Sequence, residues 1–108
     1  MNVVPNRGEV WLVDLGMIEK VRPGVILSGP SGPADRNLIT IIPHTTALRG
    51  SEFEIDIPMS FRKPGAFLVQ SPATVPIVRA QRLLGRMNPA QVREVELGLL
   101  RWLRIETS

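Results

Sequence analysis

Two short segments of this 108-residue chain place chemically capable residues where a plain core strand would not. One is Val21-Arg22-Pro23-Gly24-Val25-Ile26-Leu27-Ser28, and the other is Ile41-Ile42-Pro43-His44-Thr45-Thr46-Ala47-Leu48-Arg49-Gly50. Each reads as an apolar strand with polar residues at one end. Arginine is costly to bury, and proline cannot donate to a sheet ladder except at an edge or a strand end. If the two ends meet, a guanidinium and hydroxyls converge on one spot, which suits a phosphate. Pro23 biases Arg22 to an extended backbone, so the guanidinium fork is presented from a defined place. A Thr45 or Thr46 hydroxyl can donate to a phosphate oxygen or hold a reacting 2′-OH. The same residues can instead close the strand as a hydroxyl-capped turn.

His44 is the only histidine and the one side chain with an ordinary pKa near neutrality. On an extended backbone, however, His44 and Thr45 point to opposite faces, so both cannot line one pocket. Glu19, three residues before Arg22, is placed to act as a base or to pair with that arginine. Glu52, Glu54 and Asp56 alternate with Phe53, Ile55 and Ile57, which reads as the solvated face of a half-buried strand. No metal-ligand spacing, nucleotide-binding glycine loop or Ser-His-Asp order is present. With no cysteine and a single histidine, a metal site is not expected and no cofactor is implied. Chemistry by a strand mouth of this kind fits RNA cleavage by the substrate's own 2′-OH, where the protein aligns the nucleophile and stabilises charge on the phosphorane.

The elements that must position these residues follow from pattern. Strands are expected at 7–15, 22–28, 37–43, 52–58, 66–70 and 74–78, with 79–87 either a short strand or irregular. Arg49-Gly50 marks a turn, and Gly29-Pro30-Ser31-Gly32-Pro33 a loop. A helix is expected at about 89–105. Asn88 caps it, Pro89 takes the first helical position and Gln91 completes a capping box. Val92, Val95, Leu99 and Leu103 form its apolar stripe, and Gly98 suits a close packing contact. The expected class is mainly β (α+β): a single domain over residues 1–108, built as a small, curved antiparallel barrel capped by a C-terminal helix. Trp11 and Trp102 are expected as core or interface anchors.

The net charge is +3, and its distribution matters more than its size. No acid occurs from Ile57 through Arg93, while Arg62, Lys63, Arg79, Arg82, Arg86 and Arg93 all fall there. An arginine-rich face without acids suits a polyanion. No apolar run is long enough to span a membrane, and a soluble, cytoplasmic protein is expected.

The residues already named resemble the MazF/PemK (Kid) family of toxin endoribonucleases. The resemblance rests on Arg7-Gly8-Glu9-Val10-Trp11-Leu12-Val13-Asp14-Leu15, on Arg22-Pro23-Gly24-Val25-Ile26-Leu27-Ser28, on Ile42-Pro43-His44-Thr45-Thr46 and on Leu84-Gly85-Arg86-Met87-Asn88. Their order and spacing cover nearly the whole chain. The resemblance implies an SH3-like barrel of the MazF/CcdB type, a homodimer, and metal-independent cleavage of single-stranded RNA at short sequences. It also implies a cognate antitoxin whose C-terminal segment blocks the RNA groove. Arg22 matches the family's catalytic arginine and Thr45 its catalytic threonine or serine. Gln70 matches a glutamine common in the family's fifth strand and is expected near the groove as an RNA contact, and Ser28, Thr46 and Glu19 are further candidates for RNA contact. The family's cation after that glutamine is replaced by Ser71-Pro72-Ala73, leaving Arg49, Arg79 or Arg82 to supply the charge. The link before Arg22 is shorter than in most members, so base preference does not carry over. The other readings are a gyrase poison of the CcdB type, acting through the C-terminal helix with Trp102 as its anchor, and a non-catalytic SH3-like nucleic-acid-binding module.

Overall fold

The computed structural model describes residues 4–16, 20–61 and 64–107. Among them run seven strands and one α-helix. The strands are β1 (Glu9–Asp14), β2 (Val21–Ile26), β3 (Leu38–Thr45), β4 (Glu54–Ile55), β5 (Ala66–Leu68), β6 (Ala73–Pro76) and β7 (Ala80–Arg86), and the helix is α1 (Pro89–Leu103). Every strand pairing is antiparallel, in the order β4-β5-β3-β2-β1-β7, with β6 added to β3.

The sheet is strongly curved. Val10, Val25, Ile42, Ile55 and Phe67, from β1 to β5, share one buried cluster with Val92 and Val95 of α1. Five strands reach one cluster only if the sheet wraps around it. The chain after β4 completes the wrap: Ser60 Oγ donates to the Leu84 carbonyl of β7 at 3.5 Å, and a Cβ on Gly85 would stand 3.1 Å from Met59 Cε. A second cluster, on the opposite face of the central strands, joins Trp11, Val13, Ile26, Ile39 and Ile41. Both faces of β1–β3 are therefore apolar, which explains why those strands read as near-continuous hydrophobic runs.

The helix forms as its sequence dictates. The Asn88 side chain accepts from Gln91 N at 2.8 Å, and Asn88 N donates to Gln91 Oε1 at 2.9 Å. The helix ends at Arg104, which adopts the left-handed conformation (φ 57°). Gly98 lets α1 approach the sheet, since a Cβ there would fall 2.9 Å from Ile55 Cδ1. Glycine costs the helix about 1 kcal/mol, whereas each fully buried valine contributes about 1.5–3 kcal/mol, so packing decides. Trp102 is partly exposed and packs edge-on against Phe53, their ring centroids 5.4 Å apart.

The strands expected at 22–28 and 66–70 end at Ile26 and Leu68, and three other expectations change as well. The strand expected at 52–58 shrinks to Glu54–Ile55: residues 52–53 form a turn in which Glu54 N donates to the Ser51 carbonyl at 3.1 Å, and residues 56–58 leave the ladder. The strand expected at 74–78 begins one residue earlier and gives way at Ile77–Arg79 to a 3₁₀ turn. The ambiguous segment 79–87 contains a seven-residue strand, β7, whose pairing with β1 shifts register between Val10 and Trp11 and again between Leu12 and Val13. Those irregularities break the period-2 pattern by which a strand is recognised.

Glu9 supplies a stability test. Its carboxylate is buried, accepts from Asn6 N at 2.8 Å and from Trp11 Nε1 at 3.0 Å, and faces Arg86 at 3.3 Å. Glu9→Ala leaves the buried indole N–H without its acceptor, and a loss of about 1–3 kcal/mol is expected. Urea denaturation measures this; an unchanged midpoint would show that the carboxylate does not clamp the strand.

Candidate functional site

The site is set by which face of the sheet each residue takes. In the β2–β3 ladder, Ile26 faces Ile41, Val25 faces Ile42 and Gly24 faces Pro43. Arg22 lies two residues beyond Gly24, and Thr45 two beyond Pro43. Side chains two apart share a face, so Arg22 and Thr45 stand on the same face at the same end of the ladder. Past the Gly24–Pro43 pair, β2 continues against β1, with Arg22 opposite Val13. There β3 continues against β5, with Thr45 opposite Ala66. The β2–β3 ladder thus ends at a mouth flanked by a half-buried arginine and a half-buried threonine.

The same parity brings more residues to this face. Glu54 pairs with Leu68, two residues after Ala66, and Gln70 follows two residues later. A surface cavity of about 270 Å³ is lined by Thr45, Ala47, Arg49, Ser51, Glu54, Leu68 and Gln70. Thr45 Oγ1 accepts from Ala47 N at 3.1 Å. The hydroxyl-capped turn therefore does form, and it does not consume the hydroxyl proton, which stays available to donate. Strand closure and chemistry are compatible uses of one residue.

Glu54 holds the far side of this cavity. Its carboxylate accepts from Arg49 N at 2.8 Å, Gly50 N at 3.0 Å and Ser51 N at 3.1 Å. The Arg49 N–H leads in holding the carboxyl below its ordinary value; burial opposes, and the Ser51 and Gly50 N–H groups and the Arg49 charge add to the lowering. A carboxyl depressed on folding supports the loop above its unfolded pKa, and that support is lost as pH falls through the lowered value. Glu52 and Asp56 are exposed, as a solvated face requires; Glu54 departs from that reading.

His44 takes the other face. It is 4 % exposed and sits edge-on to Phe61 and Phe67, with centroids 5.3 and 5.2 Å away. Alternation turned it from Thr45 as expected. Gly65 is a site residue that sequence reading missed. Its φ is +142°, and a Cβ there would lie 2.1 Å from the Thr45 carbonyl oxygen and 2.7 Å from His44 Cε1. Glycine before β5 is thus a condition of the Thr45 backbone position. Gly24 is a milder case: its Cβ would meet Ile41 Cδ1 at 2.5 Å, the end of a side chain that can turn away.

The remaining candidates divide. Arg49 and Gln70 line the cavity with Thr45, and Thr46 is exposed just past the end of β3. Ser28 lies beyond the opposite end of β2, where its Oγ accepts from Thr40 N at 2.9 Å, so the structure does not bring it to the mouth. Arg79 pairs with Asp14 at 3.2 Å. Arg82 faces Leu12, which alternation puts on the side of the sheet away from Arg22. Glu19, like Arg62 and Lys63 of the acid-free stretch, lies outside the described residues. Arg86 and Arg93 of that stretch pair with Glu9 and Glu96, each at 3.3 Å. The Arg79–Asp14 pair is exposed on both sides, and ion pairs of that kind are weak and exchangeable. Among the described residues, no group of three or more His, Cys, Asp or Glu is placed to hold a metal ion, and no helix is long and apolar enough to cross a membrane.

The model of the PemK-like, MazF-like toxins of type II toxin–antitoxin systems matches residues 6–103. The chain belongs to this family. A search of curated proteins gave no match. Among solved structures, the chain is similar to an endoribonuclease in complex with its cognate antitoxin from a mycobacterial species, with a TM-score of 0.79, 21% identity, and 96% of this chain and 99% of that one covered. It is similar to the MazE–MazF complex of Deinococcus radiodurans at a TM-score of 0.79 and 20% identity, with 97% and 100% covered. It also resembles the Mycobacterium tuberculosis toxin MazF-mt6, at 0.78 and 19%, with 92% and 99% covered. At these identities the likeness establishes the MazF-like fold: an antiparallel sheet with one C-terminal helix. Both the fold and the family expected from the four motifs are borne out.

Proposed function

We propose that this toxin is an endoribonuclease that cleaves single-stranded RNA, mRNA among it, at a short sequence by attack of the substrate's own 2′-OH, without a metal. Such cleavage halts translation and growth until an antitoxin neutralises the toxin. The observation that carries the reading is the placement of Arg22 and Thr45 on one face at one ladder end, within the two motifs that resemble the family's catalytic ones. Membership of a toxin–antitoxin family and similarity to structures solved with antitoxins support it.

In the reaction, the 2′-oxygen forms a bond to phosphorus as its proton leaves. The bond from phosphorus to the 5′-oxygen breaks, and that oxygen gains a proton. The products are a 2′,3′-cyclic phosphate and a 5′-hydroxyl. The Arg22 fork stabilises charge on the nonbridging oxygens, and the Thr45 hydroxyl, its oxygen held by Ala47 N–H, aligns the reacting groups. Gln70 and Arg49 line the adjacent cavity, where a nucleotide beside the scissile bond contacts them. A homodimer presenting two such mouths, closed by an antitoxin segment lying in the groove, completes the assignment.

The test is incubation of purified protein with a long RNA in EDTA, followed by sequencing of the ends. Fragments ending in cyclic phosphate at a recurring short sequence are expected. Intact RNA, or cleavage restored only by added metal, overturns the mechanism.

A further inference from the structure

Thr45 can act only if its hydroxyl is held in place, and what holds it is a short segment with two anchors. At one end, Ala47 N donates to Thr45 Oγ1 at 3.1 Å. At the other, the consecutive N–H groups of Arg49, Gly50 and Ser51 converge on the Glu54 carboxylate at 2.8–3.1 Å. Between the anchors lies only Leu48, which is 53 % exposed and adds little packing. The convergence needs Gly50 in the left-handed region, at φ +75°. Successive backbone N–H groups of this kind form a concavity for an anion, and here the chain supplies the anion itself. Glu54 sits in β4 opposite Leu68 of β5, so the segment is tied to the strand that leads to Gln70. Glu54 also lines the cavity that holds both Thr45 and Gln70.

We propose that Glu54 is a positioning residue for the cleavage reaction: its carboxylate fixes the Arg49–Ser51 backbone and, through Ala47 N–H, the Thr45 hydroxyl. The proposal rests on the endoribonuclease reading above. Glu54 touches no reacting atom. It acts through Thr45, and its removal misplaces a group whose error of about 1 Å costs on the order of 100-fold in rate.

The experiment compares wild type, Glu54→Ala, Glu54→Gln, Thr45→Ala and the Thr45→Ala/Glu54→Ala double variant on one RNA substrate in EDTA. Single-turnover rates and KM are measured for each. Glu54→Ala is expected to lower the rate about 10–100-fold with a smaller change in KM. Glu54→Gln keeps one carbonyl acceptor and is expected to fall between. The double variant is expected to be no slower than Thr45→Ala alone, because residues acting as one unit are not additive. A full further loss in the double variant overturns the proposal, as does a Glu54→Ala variant that cleaves at or above the wild-type rate. If Glu54→Ala does not fold, Glu54→Gln decides, with amide hydrogen exchange at Ala47, Arg49, Gly50 and Ser51. Faster exchange with a reduced rate supports the role, and faster exchange with full activity refutes it. Should Arg22→Ala and Thr45→Ala themselves cleave normally, the reading of the site fails; should they be inactive while Glu54→Ala is not, only the Glu54 assignment fails.

Discussion

Arg22→Ala is expected to lower the RNA cleavage rate by about 10²–10³-fold, the range lost when one preorganised donor to a developing oxyanion is removed. It is expected to leave the unfolding transition close to that of wild type. The two halves of this prediction have separate causes. Arg22 is half-buried at the start of β2, opposite Val13, and the buried stretch of that strand lies beyond it, from Pro23 to Ile26. Truncating it is expected to open no cavity in either cluster, because Arg22 is a member of neither. Rate is a different matter, since the phosphorane carries more negative charge than the ground-state diester and a fixed cation favours the former. Arg22→Lys discriminates further. It keeps the charge but loses the planar fork, so a partial recovery is expected rather than wild-type rates. Single-turnover cleavage in EDTA, read beside thermal melts, settles both halves. Wild-type cleavage by a folded Arg22→Ala variant removes the arginine from the mechanism.

Much of this site was legible because strand alternation is a strict rule. The two-residue period alone separates His44 from Thr45, and the buried imidazole between Phe61 and Phe67 follows from it. The helix was legible for an equally local reason, since Asn88, Pro89 and Gln91 write its start in adjacent positions. Gly98 showed that something must come close; only the fold says that it is Ile55. Illegible features have in common that their cause is distant in sequence or out of register. β7 is hidden by two register shifts against β1. Glu54 looks like its neighbours Glu52 and Asp56 in pattern, and what distinguishes it is a loop that turns back onto its carboxylate. Ser28 shares a motif with Arg22, yet strand direction carries it to the other end of β2. Motif membership, then, identifies the family, but proximity to the mouth is decided by parity and by strand end.

Gly65 turns that distinction into the second large expected effect. Gly65→Ala is expected to destabilise the protein by roughly 2–5 kcal/mol, the sum of backbone strain and overpacking. It is also expected to lower cleavage by more than the folded fraction explains. The strain arises because φ is +142°, a region L residues rarely adopt. The overpacking arises because the new Cβ would lie 2.1 Å from the Thr45 carbonyl oxygen and 3.0 Å from its carbonyl carbon. Those are backbone atoms, so no rotamer change relieves the clash; either the Thr45 peptide moves or the start of β5 does. The ladder between Thr45 and Ala66 is the part that must give, and it fixes the threonine whose hydroxyl faces the mouth. Gly16→Ala is the matched control. Its φ is also positive, at +97°, but no described residue lies within 4 Å of a Cβ there, so the conformational cost of about 1–2 kcal/mol is the one expected. Urea denaturation of both variants, with cleavage rates normalised to folded protein, separates the two contributions. If Gly65→Ala is as mild as Gly16→Ala in both measurements, the backbone of Thr45 is not held by the glycine before β5, and the position of its hydroxyl must be set from the Ala47 side alone.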